Sequence, residues 1–431
     1  MSAGICIMNK QAIALAADSA VTVGDHAAIH NSANKLFSLS RVAPVGLIIY
    51  ANASLMSVPV EIIVKEYKKQ LADRSFQKLE DYVNDFITYI ESNYELFRFN
   101  INEEDYVTSV FKDLMLGLLC DNKNMVRSQS DNLKRPLSDE EAKSTFVAAC
   151  KQTLTFVDSI PKRTNNNFSD YVRKNYLPIF IKLLLNDSSF KWIAKDHVQE
   201  LCEKSCEIFD TDFYRSGYVG IAVAGYGNGE IYPHMIHMHI SGCINKKLRY
   251  CIQESVSIRE DNTASVVPLA QTDVMQTFLF GINDRFLSDL SQQMPIQINQ
   301  NIDSIDESLF APGKKDSVRA QINNVTEHVL QHVAEIARND YMLPIIQSVS
   351  SLPIEELALL AESMINITSL RRKVALDRNI GTVGGPIDVA IISKGDGFIW
   401  LKRKHYFDRK YNPQYFYSHF DKIGRGEVDE D

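Results

Sequence analysis

The chain reads as an α+β protein of the four-layer αββα kind, with helices outside, two sheets inside and a large helical insertion. Three observations predict this. Short, fully apolar runs open the chain, and strands of that kind need cover on both faces. Strand patterns return near residue 217 after a long helical stretch. The order strands, helices, strands, helices, strand is the one such a layered core requires. The 431 residues, 45% of them hydrophobic, are ample for a packed core. The expected division is 1–100 as the first half of the core, 101–213 as the helical insertion, 214–402 as the second half and 403–431 as a tail.

Taken in order, residues 3–8 and 12–17 flank Asn9-Lys10-Gln11 and predict a buried hairpin. Lys35–Leu39 and Val45–Ala51 predict two more strands. A helix then opens at Pro59 with Val60, Ile63, Val64 and Tyr67 on one face. Phe76, Leu79, Val83, Phe86, Ile87 and Ile90 recur at helical spacing and predict a second helix. Residues 101–213 are polar and charged, and Ser138-Asp139-Glu140-Glu141 is a capping box ahead of Phe146, Val147 and Leu154. Tyr218–Ala224, Glu230–Ile240 and Lys246–Ile252 predict an antiparallel meander, with glycine turns at 225–229 and at Ser241-Gly242. Helices are expected over Asp273–Ile282, about 316–340 and 353–372, with a polar Gln/Asn stretch at 291–304 between them. Gly381 to Pro386 leads into a strand, Ile387–Ser393, and a turn to a last strand, Phe398–Lys402.

A net charge of -8 argues against a nucleic-acid or anionic-membrane binder. Seven cysteines, at 6, 120, 150, 202, 206, 243 and 251, form no disulfide framework and suit a reducing cytosol. Cys202 and Cys206 lack a second pair at zinc spacing and read as structural thiols. The N-terminal apolar run carries Asn9, Lys10 and Gln11 in its middle and soon meets Asp18, unlike a membrane span or a signal peptide, so a cytoplasmic location is expected. His234, His237 and His239 contain a His-x-His pair of metal-binding type, but satisfied or surface histidines are the preferred reading. Neither a metal nor any other cofactor is expected. Lys402 to Phe407 and Tyr415-Phe416-Tyr417 interleave bases with aromatics; a subunit interface is preferred over a single-stranded nucleic-acid surface.

One constellation carries chemistry. Removal of Met1 would leave Ser2 with a hydroxyl nucleophile and a free α-amine on one residue, and an amine titrating near ~7.7–8.0 suits proton abstraction at neutral pH. Lys35 can stabilise the alkoxide, and Asp18 can keep the lysine charged and oriented. Each has a plainer reading: Ser2 as a common second residue, Asp18 as a turn cap, Lys35 as a solvated strand end.

From Ser2 through two strands to Asp18-Ser19-Ala20-Val21-Thr22, the spacing resembles that of proteasome β-type subunits and bacterial proteasome-like N-terminal-nucleophile (Ntn) hydrolases. The resemblance covers the first 100 residues and most of 217–400. It implies that Asp18 steadies a catalytic lysine, Lys35, in Asn34-Lys35-Leu36-Phe37. It also implies substrate-binding roles for Thr22, through its backbone, and for Ala51. The segment Gly46 to Ser54 matches the one that supplies an oxyanion-hole N–H, here assigned to Asn52 where the family has glycine; Ala20 stands where many members have arginine. Supporting groups are expected from Gln271 or Thr272, and from Asp377 with Thr382. The implied activity is cleavage of peptide bonds by a homo-oligomeric ring or open spiral, with an ATP-driven unfoldase as a candidate partner. Serine lacks the methyl that fixes a threonine rotamer, so activity is expected to be modest. A catalytically silent scaffold that presents the helical insertion, or a small-amide amidase on the same fold, are the alternatives.

Overall fold

The computed structural model describes residues 3–23, 28–30, 32–96, 102–193, 195–214, 217–306, 314–374, 384–405, 407 and 409–414. The fold mixes helices with antiparallel sheets. Strands β1 (Gly4–Asn9) and β2 (Ala12–Ala17) form the expected hairpin, buried at every position. A short ribbon, β3 (Val21–Val23) with β4 (Ala28–His30), follows where no strand was expected. Next come β5 (Leu36–Ser38), β6 (Val45–Ala51) and the small pair β7 (Ser54–Leu55) and β8 (Val58–Pro59). The helices α1 (Val60–Leu71) and α2 (Leu79–Ser92) then turn their apolar faces inward.

The next stretch is helical: α3 (Glu103–Leu133), α4 (Asp139–Ser159), α5 (Ser169–Asn186) and α6 (Lys195–Ser205). The Ser138 capping box forms as the residues predict, with the hydroxyl accepting from the Glu141 N–H. Strands β9 (Val219–Gly225), β10 (His234–Ile244) and β11 (Lys247–Ser257) make the meander. An additional strand, β12 (Ala264–Leu269), precedes α7 (Asp273–Phe280). The Gln/Asn-rich stretch lies within a helix, α8 (Asp284–Ser304), which packs on α9 (Lys314–Ile336). The chain continues through α10 (Leu343–Ser351) and α11 (Ile354–Val374) into β13 (Asp388–Ser393) and β14 (Gly397–Lys402).

Two five-stranded sheets carry the core, in the orders β12-β1-β2-β13-β14 and β11-β10-β9-β6-β5. Alternation sends Cys6, Met8, Ile13 and Leu15 of the first sheet against Ile48, Ala222, Ala224 and Met235 of the second in one cluster. The opposite face of the first sheet, with Ile5, Ile7, Ala14 and Ala16, packs on Leu357, Ala361 and Ile365 of α11. The opposite face of the second, with Leu47, Ile49, Ile221 and Met238, packs on Val64, Tyr67 and Phe86 of α1 and α2. The sheets approach so closely at Gly46 that a β-carbon there would lie 2.8 Å from the Phe398 ring and 2.9 Å from Ile392.

Two polar staples fix this packing. Buried Asn9 donates to the carbonyls of Val349 (3.0 Å) and Leu352 (2.9 Å) while accepting from the N–H groups of Gln11 (2.9 Å) and Ala12 (3.2 Å), which ties the first turn to the end of α10. Arg249 on β11 is fully buried. It donates to the carbonyls of Phe209 (2.9 Å), Ile208 (3.0 Å), Thr211 (2.7 Å) and Phe213 (3.1 Å), and to the hydroxyls of Ser241 (3.1 Å) and Tyr106 (3.3 Å). The helices between 103 and 210 share one apolar cluster with α1, α2 and the second sheet, and Arg249 pins their last turn to that sheet.

Candidate active site

The end of β2 and the entry to β5 bring two charged groups into the protein interior. Asp18 follows the last residue of β2, and Lys35 precedes the first residue of β5; they are 0% and 3% exposed. The Lys35 ammonium donates to Asp18 Oδ1 at 2.6 Å and to the Ala20 carbonyl at 2.5 Å. Burial pushes the Lys35 ammonium below its usual range; Asp18 opposes that shift, and nearby Lys404 adds to it.

The Asp18 carboxylate is hydrogen-bonded on both oxygens. Besides Lys35, Oδ1 accepts from the Ala3 N–H (2.8 Å), while Oδ2 accepts from the N–H groups of Ala20 (3.2 Å) and Gly384 (3.1 Å). The backbone repeats the link: the Asp18 N–H donates to the Ala3 carbonyl and the Ser19 N–H to the Gly384 carbonyl, both at 3.1 Å. The Ser19 hydroxyl donates to the Pro386 carbonyl at 2.5 Å. Asp18 therefore joins the chain's N-terminal segment, the entry to β5 and the approach to β13 at one buried point. Such satisfaction is what makes a buried charge tolerable.

Of the residues singled out in the sequence, Asp18 and Lys35 are brought together; Ser2, Asp377 and Thr382 lie outside the described residues. The Asn52 N–H donates to the Tyr218 carbonyl at 3.0 Å, at the end of the sheet. Its side chain lies over Gly217, where a β-carbon would fall 2.2 Å from the amide nitrogen. Ala51 is exposed and takes a left-handed conformation, φ 62°, which ends β6 with a sharp turn. Thr22 pairs through its backbone with Ile29 of β4, so one edge of β3 is occupied from within the chain. Thr272 sits at the start of α7 and its carbonyl accepts from the Gln276 N–H at 2.7 Å, while Gln271 has a left-handed φ of 44°.

Three contributors were not assigned from the sequence: the backbone groups of Ala20, the Gly384 N–H, and the buried pair Asp388–Lys404. Gly384-Gly385 stands out in the sequence as a strand entry, but nothing local reveals that it reaches Asp18. Lys404 belongs to the basic-aromatic run read as an interface; here its ammonium pairs with Asp388, whose other oxygen accepts the Lys404 N–H at 2.8 Å.

The histidines make a separate cluster. His237 and His239 project from the same side of β10, and both rings meet the Tyr50 hydroxyl, His239 Nε2 at 2.7 Å. A hydroxyl has one proton to give, so it donates to one ring and accepts from the other. Burial holds both rings at about 4, neutral at pH 7. Tyr50 lies flat across Gly220, where a β-carbon would come within 2.1 Å of the ring. His234 stands apart, with Ser255 Oγ at 2.9 Å. Among the described residues no group of three His, Cys, Asp or Glu could hold a metal ion, and no helix is long and apolar enough to cross a membrane.

No family model matches the chain, and no curated protein matches it. The similar solved structures include one described as Anbu (ancestral beta-subunit) from Yersinia bercovieri, with 9% identity over 99% of each chain and a TM-score of 0.32. A helical assembly of the Anbu complex from Pseudomonas aeruginosa shares 9% identity over 99% of this chain and 98% of that one, with a TM-score of 0.31. An Anbu (Gly-1) mutant from Hyphomicrobium sp. strain MC1 shares 8% over 100% of both, with a TM-score of 0.30. The family membership implied by the spacing from Ser2 to Thr22 is thereby corrected. No family model recognises the chain, and likeness this remote carries neither a shared fold nor a shared chemistry.

Proposed function

We propose that the chain hydrolyses amide bonds with the Ser2 hydroxyl, exposed for catalysis when Met1 is removed. The observation that carries this reading is the Asp18 carboxylate, one oxygen of which accepts both from the N–H of Ala3, the residue after Ser2, and from the Lys35 ammonium. In the proposed reaction the α-amine takes the hydroxyl proton as Ser2 Oγ bonds to the substrate carbonyl carbon. The C–N bond then breaks as that proton passes to the departing amine, and water hydrolyses the ester left on Ser2. Lys35, its ammonium destabilised by burial, offers a positive charge beside the nucleophile, and Asp18 holds it in place. The finer architecture belongs to the same proposal: helix, sheet, sheet, helix layers, with 101–213 inserted between two halves of the core and polypeptide as the substrate class.

Intact mass of the native protein tests the first step, and labelling by an epoxyketone, which needs both hydroxyl and amine, tests the second. Loss of one methionine and labelling that Ser2→Ala abolishes are expected; labelling that survives Ser2→Ala would sink the assignment. The engaged Asn52 N–H favours a second reading, a catalytically silent scaffold. Retained Met1 is its signature, since an acylated amine has no basic lone pair.

A further inference from the structure

We propose that the cavity between α1, β5 and the β13–β14 edge binds a small phosphate dianion, held by Lys68 and Arg403. This cavity of about 200 Å³ lies beside the Asp388–Lys404 pair. It has room for a tetrahedral anion with accompanying water.

The charges around it do not balance. Its two carboxylates are already engaged. Glu61 accepts from Lys65 at 2.6 Å and from the Asn34 amide at 2.9 Å. Asp388 takes both the backbone N–H and the ammonium of Lys404. Lys68 and Arg403 have no such partner: among the described residues no carboxylate lies within ion-pair distance of either. The half-buried Lys68 ammonium carries three donors, and one goes to Ser38 Oγ at 3.0 Å. Ser38 passes its own proton to the Ser40 carbonyl at 2.7 Å, so its oxygen is an acceptor for the lysine. The Arg403 guanidinium stacks over Trp400, 4.9 Å from the ring centre, which orients its planar fork.

Burial, Arg41 and Arg403 together push Lys68 down to about 8, the response of a cation crowded by like charge without an anion. An acidic protein of net charge -8 that gathers uncompensated cations around a cavity has made a local anion site. A dianion with several oxygens meets a point-charge lysine and a forked arginine together, as a single carboxylate does less well.

Isothermal titration with inorganic phosphate, at constant ionic strength and pH 7.5, is the test; phenyl phosphate in parallel separates free phosphate from a phosphomonoester as the source. Saturable binding is expected, weakened tenfold or more by Lys68→Met and by Arg403→Gln. Lys65→Met, which removes an ammonium already given to Glu61, is expected to change affinity less than threefold. Arg403 is exposed, so its variant keeps the fold, as circular dichroism checks. Tighter binding of phosphate than of phenyl phosphate assigns free phosphate, and the reverse assigns a phosphomonoester; either supports the site. No saturable binding, or an effect of Lys65→Met equal to the other two, overturns it. The proposal does not depend on the role of Ser2.

Discussion

Lys35 and Arg249 are both buried cations, 3% and 0% exposed, and the protein treats them in opposite ways. Lys35 faces a carboxylate, which offsets the burial that drives its ammonium toward neutrality. Arg249 faces only carbonyls and hydroxyls, with no carboxylate among its hydrogen-bond partners. A guanidinium stays charged in any protein environment, so dipoles suffice to hold it and nothing can be switched. A lysine's proton is negotiable. The difference separates a clamp from a group suited to chemistry.

The sharpest way to break this comparison is at the clamp. Arg249→Met strands carbonyls of Ile208, Phe209, Thr211 and Phe213, and we expect a loss of about 5 kcal/mol, with the helices between 103 and 210 losing hydrogen-exchange protection first. A urea midpoint shift worth under ~1 kcal/mol would show that the carbonyls find other donors. At the other site, Lys35→Met leaves Asp18 with three backbone donors and is expected to cost about 3 kcal/mol; Asp18→Asn costs a similar amount because an amide nitrogen cannot accept. The two losses should not add, with a coupling of roughly 2 kcal/mol in a double-mutant cycle. Strict additivity would mean that the pair contributes nothing as a pair.

A third, smaller effect concerns His237 and His239, buried in the neutral form. Their folded values of about 4 lie below the ordinary 6.5, so the unfolded chain binds protons that the native rings refuse. Their contribution is complete above pH 6.5 and is lost progressively as pH drops toward 4. A thermal-melt series over that range should flatten when both rings are replaced by asparagine. An unchanged slope would place the acid sensitivity elsewhere.

The core was largely legible because its signals are local. Residues 3–8 and 12–17 are apolar without interruption, and Phe86, Ile87 and Ile90 repeat at helical spacing. β12 escaped because Ser265 and Pro268 break the pattern; proline is tolerated there because β12 is an edge strand. α8 was hidden by Gln, Asn and Pro295, and formed where α9 could pack against it. The ribbon of β3 and β4 has only three residues on each side, too few for periodicity to register. Asp18 and Lys35 were paired in the sequence through the resemblance carried by their flanking motifs, and the fold sets them 2.6 Å apart. The engagement of the Asn52 N–H with Tyr218 and the Asp388–Lys404 pair depend on how distant strands dock, and no local pattern encodes that.

The bond from Gly384 to Asp18 spans 366 positions of sequence. Ribosomes add 5–20 residues per second, so the N-terminal segment waits roughly 20–70 s for its last donor to emerge. Until then the carboxylate is short of one partner. A half-made chain lacks the donor that completes this network.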